Sequence, residues 1–196
     1  MKAIVFGMPL KSKQPRIAPV EPPYHEAEAE ILERLGPPIA LFRVFARRPD
    51  LARGIAGWGR YYLSRQSALS LRQRELVINR VTARCGADYE WGVHLAVFGD
   101  KAGLTADQVR SLASGDHRDP CWADPADRAV LAAVDGLHDD HDLDDPAWRA
   151  MVAAVGEDGA LDVILVAGWY HAISYAVRAL RLPMEPGTSG LDAAAI

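Results

Sequence analysis

Residues 70–103 read SLRQRELVINRVTARCGADYEWGVHLAVFGDKAG, and the spacing of their apolar and ionisable side chains decides the fold. Ser70 followed by Gln73 is a capping-box pattern, which predicts a helix opening at Leu71. Leu71, Ile78, Thr82 and Cys85 recur at three-and-four spacing on one helical face, and Glu75 stands on the same line. A carboxylate on an apolar face is either paired, here with Arg72 or Arg74, or held near neutrality as a proton carrier. Cys85-Gly86 ends this helix, glycine being favoured just past a C-terminus. A second helix is expected from about Asp88 to Lys101, with Gly103 closing it. On it Trp91, His94, Leu95 and Phe98 share a face, and Glu90 lies one turn before His94. A carboxylate beside an imidazole orients the ring and raises its basicity, half of a general acid/base device. An antiparallel pairing across Gly86 would bring Glu75, Glu90 and His94 together.

The rest of the chain reads as scaffold. Its 196 residues suffice for one domain with a real core. An apolar content of 49 % and a net charge of −4, with no basic block, give no reason to expect nucleic acid or a membrane surface as partner. Two distant cysteines, Cys85 and Cys121, make no disulfide framework and suit a reducing cytoplasm. Residues 1–23 hold an apolar run with Ile4, Val5 and Phe6 and then five prolines, an extended arm expected to lie across its own domain or a neighbouring subunit.

Helical periods begin after Tyr24, with helices expected at Glu26–Leu35, Pro38–Arg47 and Asp50–Arg65. Thr105 and Gln108 repeat the capping box, and Asp124-Pro125 and Asp145-Pro146 open two further helices, the latter ending near Gly156. Between them HDDHDLDD, His138 to Asp145, reads as a solvated acidic loop, so no metal site is expected. The last helix, about Ala160 to Leu182, is apolar nearly all round. Asp162, His171 and Arg178 mark it as buried rather than membrane-spanning. His171 either donates to a nearby carbonyl or lines the same cavity as His94, with Trp169 or Tyr170 as an aromatic wall. Residues 188–196 are expected to be a flexible tail. With no strand pattern and no repeat, the fold class is all-α, about eight helices around a central antiparallel pair.

The run RQRELVINRVTARCGADYEWGVHLAVFGDKAGLT resembles the core of the carboxymuconolactone decarboxylase family, which includes the alkylhydroperoxidase D-like proteins. The likeness extends through LFRVFARRPDLARGIAGWGRYYL, DRAVLAAVDGLHDD and VAGWYHAISYAVRAL, roughly residues 35–187, with 24–187 as the domain. Redox members of that family carry a glutamate in a REREL segment and a Cys-x-x-Cys-x-x-x-His signature in the next helix. Those positions fall here on Glu75, Ala87, Glu90 and His94, so the glutamate and histidine are present and both cysteines are absent. The resemblance implies a compact helical domain, homo-oligomeric as a trimer or hexamer, with sites near subunit contacts.

Three functions follow as expectations. The leading one is a cofactor-free acid/base enzyme, decarboxylating or otherwise cleaving a small anionic organic substrate. In it Glu75, Glu90 and His94 are catalytic, and Arg84, Trp91 and His171 bind substrate, with Arg74 a second cation for its carboxylate. The second is an alkylhydroperoxidase-related antioxidant protein in which Cys85 is the single reactive thiol, although a lone cysteine on an apolar face is more often a small core residue. The third is a non-catalytic oligomeric protein that binds a small molecule.

Overall fold

The structure is a computed structural model that describes residues 14–194. Among those residues every regular element is a helix: α1 (Glu26–Leu35), α2 (Ala40–Phe45), α3 (Pro49–Tyr62), α4 (Leu71–Arg84), α5 (Asp88–Phe98), α6 (Ala106–Ser114), α7 (Pro125–Asp139), α8 (Asp145–Leu180) and α9 (Leu191–Ala194). The all-α expectation holds, and local chemistry sets the boundaries. Ser70 Oγ accepts from Gln73 N while the Gln73 side chain accepts from Ser70 N at 2.9 Å, and Thr105 with Gln108 does the same ahead of α6. Asp124 and Asp144 cap α7 and α8, each with proline in the first turn. The break expected near Gly156 is a kink inside α8, where Gly156 adopts φ 75° and ψ 173°. Only glycine takes that conformation without strain.

Helix α4 is the axis of the molecule, packed against α5, α6, α7 and α8. Leu76, Val77, Ile78 and Val81 on α4 meet Val130, Leu131 and Val134 on α7 and Val163 and Val166 on α8 in one core. Each such side chain contributes about 1.5–3 kcal/mol on burial. A helix enclosed this far buries charged residues too, and Arg74, Glu75 and Arg80 are paired. Arg80 grips Asp135 through two contacts of 2.6 and 2.9 Å and also donates to Leu112 O, tying α4 to α7 and α6. A smaller cluster of Ile31, Leu32, Ala46 and Ala52 joins α1, α2 and α3.

Both ends of the described chain pack onto this helical body. Arm residues 14–23 lie on the chain's own domain, with Arg16 N donating to Leu180 O and Val20 N to Arg43 O. Ile4, Val5 and Phe6 fall outside the described residues. Residues 188–194, expected to fray, lie against α5: Leu191 N donates to Asp88 Oδ1, and Ser189 O and Thr188 press on Gly92. Glu185 anchors the approach, accepting from Ala40 N at 2.6 Å and Tyr89 OH at 2.5 Å. Among the described residues no helix is long and apolar enough to cross a membrane.

Candidate active site

Glu75, on the second turn of α4, is fully buried. Its carboxylate is shared between two cations on opposite oxygens. Arg74 Nε and Nη2 reach Oε1 at 3.1 and 3.0 Å, and His94 Nδ1 on α5 meets Oε2 at 2.9 Å. Arg74 also donates to Tyr62 O at 3.1 Å, and Phe98 lies under its guanidinium at 5.2 Å. The other face of the imidazole is occupied from α8, where Tyr170 OH lies 3.0 Å from His94 Nε2. Glu90 Oε1 stands 3.4 Å from the same nitrogen, one turn back on α5. Glu90 Oε2 is buried without a hydrogen-bond partner among the described residues.

The charges follow from this packing. Burial pulls the His94 pKa down, but the charge and hydrogen bond of Glu75, followed by Glu90, more than offset it and raise the value to about 9. His94 is therefore an imidazolium near neutral pH, with Nδ1–H donating to Glu75 and Nε2–H directed at Tyr170. Burial, then the charges of Glu90 and Glu75, hold the Tyr170 phenol far above its usual pKa, so it stays neutral and keeps its proton. The assembly is a buried proton chain: carboxylate, imidazolium, phenol, with a second carboxylate alongside. On its flank Trp58 stacks on Trp169 at 5.7 Å, and Gly57, Trp58, Tyr61 and Tyr62 line a cleft of about 300 Å³.

Residues 49–136, from the start of α3 into α7, match the model of the carboxymuconolactone decarboxylase family. This segment belongs to that family. Two solved structures share the fold over nearly the whole chain. The debrominase Bmp8, as a cysteine-to-alanine variant in complex with 2,3,4-tribromopyrrole, superposes with a TM-score of 0.71 at 14 % identity, covering 94 % of this chain and 97 % of that one. Apo Bmp8 gives 0.70 at 14 % identity, covering 92 % and 96 %. No curated protein matches the chain in sequence.

Within the matched segment, Glu75, Glu90 and His94 converge. Ala87 is the fully buried N-cap of α5, and Glu90, at the second cysteine position of the redox signature, is a carboxylate beside the histidine. Arg84 is not in this cluster. It pairs with Asp139 and lies 3.6 Å from Asp135, on the α7 side of α4, because ten residues separate it from Arg74 and the helix has turned away. Trp91 is sealed in the core with its Nε1 unpartnered among the described residues, so it offers no surface to a substrate in this chain. His171 does not reach His94 either. Its Nδ1 donates to Ala167 O at 2.8 Å, the carbonyl alternative, while Nε2 faces His138 Nδ1 at 2.9 Å.

Cys85 is buried at the end of α4. Burial raises its thiol pKa against the smaller opposing influences of Ser174, Arg178 and Arg84, so a reactive thiolate is not favoured there. Among the described residues, the one group of three side chains able to hold a metal is Cys85, His138 and His171, away from Glu75. Sequence reasoning did not give Tyr170 a catalytic place. The available signal was a phenol inside the apolar run DVILVAGWYHAISYAV, since a buried tyrosine hydroxyl needs a partner.

Proposed function

We propose that this chain is an acid/base enzyme of the carboxymuconolactone decarboxylase type, acting without a cofactor on a small organic molecule through His94, Tyr170, Glu75 and Glu90. The observation that carries the reading is the buried chain Glu75 Oε2–His94 Nδ1 at 2.9 Å and His94 Nε2–Tyr170 OH at 3.0 Å, which keeps an imidazolium charged inside the protein. A protein that needed only packing there would gain as much from apolar side chains. Glu75 holds the imidazolium and Arg74 holds Glu75. When a carbanion or enolate forms on the substrate, the Tyr170 hydroxyl delivers its proton to carbon. Tyr170 oxygen takes the Nε2 proton of His94 in turn, and Glu90, its Oε1 3.4 Å from that nitrogen, relays the replacement proton to it. The imidazolium also offsets negative charge that develops on the substrate.

Substrate approaches by the cleft of Trp58 and Tyr61, whose aromatic walls suit a small flat ring. Bmp8, a debrominase solved with 2,3,4-tribromopyrrole, is a protein of this fold that holds such a ring. The working unit in this reading is a homo-oligomer. Leu161 and Leu165 stand exposed on α8, whose Trp169 stacks on Trp58 of the cleft, and would be covered by a second copy. Light scattering coupled to size exclusion tests that part.

The chemistry is tested with unsaturated lactones, β-keto acids and halogenated pyrroles in D2O, following deuterium incorporation at carbon and carbon dioxide release. The expected result is turnover that falls about 10²–10⁴-fold in Tyr170→Phe and His94→Gln with both variants folded, the range usual for general acid/base groups. Turnover equal to that of the unaltered protein in both variants would overturn the reading.

A further inference from the structure

Three core helices meet a second time at the far end of α4, about 15 Å along the axis from Glu75 at 1.5 Å per residue. Cys85 caps α4, His138 sits in the last turn of α7, and His171 lies on α8. One donor atom from each, the Cys85 sulfur and one nitrogen of each ring, all lie within 4.8 Å of one another. His171 Nδ1 is 2.8 Å from Ala167 O, and a carbonyl can only accept, so Nδ1 carries the proton and Nε2 presents its lone pair. That lone pair faces His138 Nδ1 at 2.9 Å. A backbone carbonyl fixing the outer nitrogen of an imidazole is the outer-shell arrangement that orients a metal-bound histidine. Both rings are only half buried, which leaves a path from solvent.

We propose that Cys85, His138 and His171 form a three-ligand site for a thiophilic transition metal ion, with zinc the best match to one thiolate and two imidazoles. Tetrahedral zinc with bonds to nitrogen of about 2.0–2.1 Å sets its two nitrogens ~3.3 Å apart. The observed 2.9 Å opens to that by a small swing of His138 at the end of its helix. Binding expels the thiol proton of Cys85 to solvent. The proton between the rings moves from His138 Nδ1 to its Nε2, so both facing nitrogens offer lone pairs. A fourth position remains for water or an outside ligand. The side chains of the three make no hydrogen bond to Glu75, Glu90, His94 or Tyr170 among the described residues, so metal binding is read out separately from the proposed chemistry there.

The test uses the full chain stripped of metal and titrated with cobalt(II) alone. The expected result is a thiolate-to-cobalt charge-transfer band in the near ultraviolet with tetrahedral bands in the visible, saturating at one ion per chain and displaced by zinc. Cys85→Ser abolishes the charge-transfer band. His138→Gln and His171→Gln weaken binding by more than about a hundredfold, since changes to outer-shell partners alone cost about 10–100-fold. His141→Gln, an exposed histidine on the adjoining turn, leaves binding unchanged. Because His138 is half buried at a helix end, its variant keeps the test open if Cys85→Ser fails to fold. No saturable band in the unaltered chain, or a band that survives in folded His138→Gln, overturns the proposal.

Discussion

Replacing His94 by glutamine should flatten one part of the pH dependence of stability. In the folded protein His94 titrates at about 9, against 6.5 for a free imidazole, because Glu75 and Glu90 outweigh the cost of burial. Below pH 6.5 the ring is protonated in both folded and unfolded chains, and the full contribution of the ion pair is present. Between 6.5 and 9 the folded chain binds a proton that the unfolded chain has lost, so stability falls as pH rises, and above 9 the contribution is gone. At 1.36 kcal/mol per pH unit the window is worth ~3 kcal/mol. His94 is almost wholly buried, so solvent screening does not reduce it much. The assay is urea unfolding at fixed protein concentration from pH 6 to 9.5, with the slope of the unaltered chain compared with that of His94→Gln. Titrations common to both chains, such as that of Cys85, cancel in the difference. The unaltered chain should lose ~3 kcal/mol more than the variant, or about 6–12 °C of melting temperature for a chain of this size. Parallel curves would refute the reasoning, since they would mean that His94 is neutral in the fold.

Arg74→Ala leaves the Glu75 carboxylate with one fewer cation in a sealed site and should cost about 3–5 kcal/mol in urea unfolding. The pair Arg74→Met with Glu75→Gln should cost clearly less than the two single changes added. Arg84→Ala should leave turnover unchanged and shift stability by no more than about 1 kcal/mol, because its partners Asp139 and Asp135 face the other side of α4. A large loss of turnover there would restore it to the substrate. A methyl group at Gly92 would stand 2.7 Å from Ser189 O and 3.2 Å from the Thr188 Cβ. Gly92→Ala should therefore lift residues 188–194 from α5, which limited proteolysis reads as faster cutting near Thr188; an unchanged cutting rate would contradict the packing.

What was legible in the sequence was local. Capping boxes at Ser70 and Thr105, Asp-Pro starts at α7 and α8, and Gly156 and Gly86 each act within a turn, and the helices form where those signals put them. The meeting of Glu75 with His94 was also readable, because a short connection at Gly86 joins their helices and leaves few ways to pack. The contributions of α8 were not. Whether Tyr170 or its neighbour His171 faces His94 depends on rotation about an axis set by α4 and α7, and adjacent residues differ by about 100°. Arg84 shows the same gap. Its side of α4 is decided by Asp135 and Asp139, 51 and 55 positions later, which no local rule connects to it.

Tyr170 and His171 are consecutive on α8, yet one completes a contact with α5 and the other with α7. The length of chain between Gly156 and Tyr170 is thereby locked. Adding or removing one residue there would turn the helix by about 100° and slide it 1.5 Å, uncoupling the phenol from His94 and the imidazole from His138 in a single step. Point substitution can tune either contact alone, but insertions and deletions can change neither without losing both. Sequence drift by length is closed to this stretch and confined to the turns beyond it.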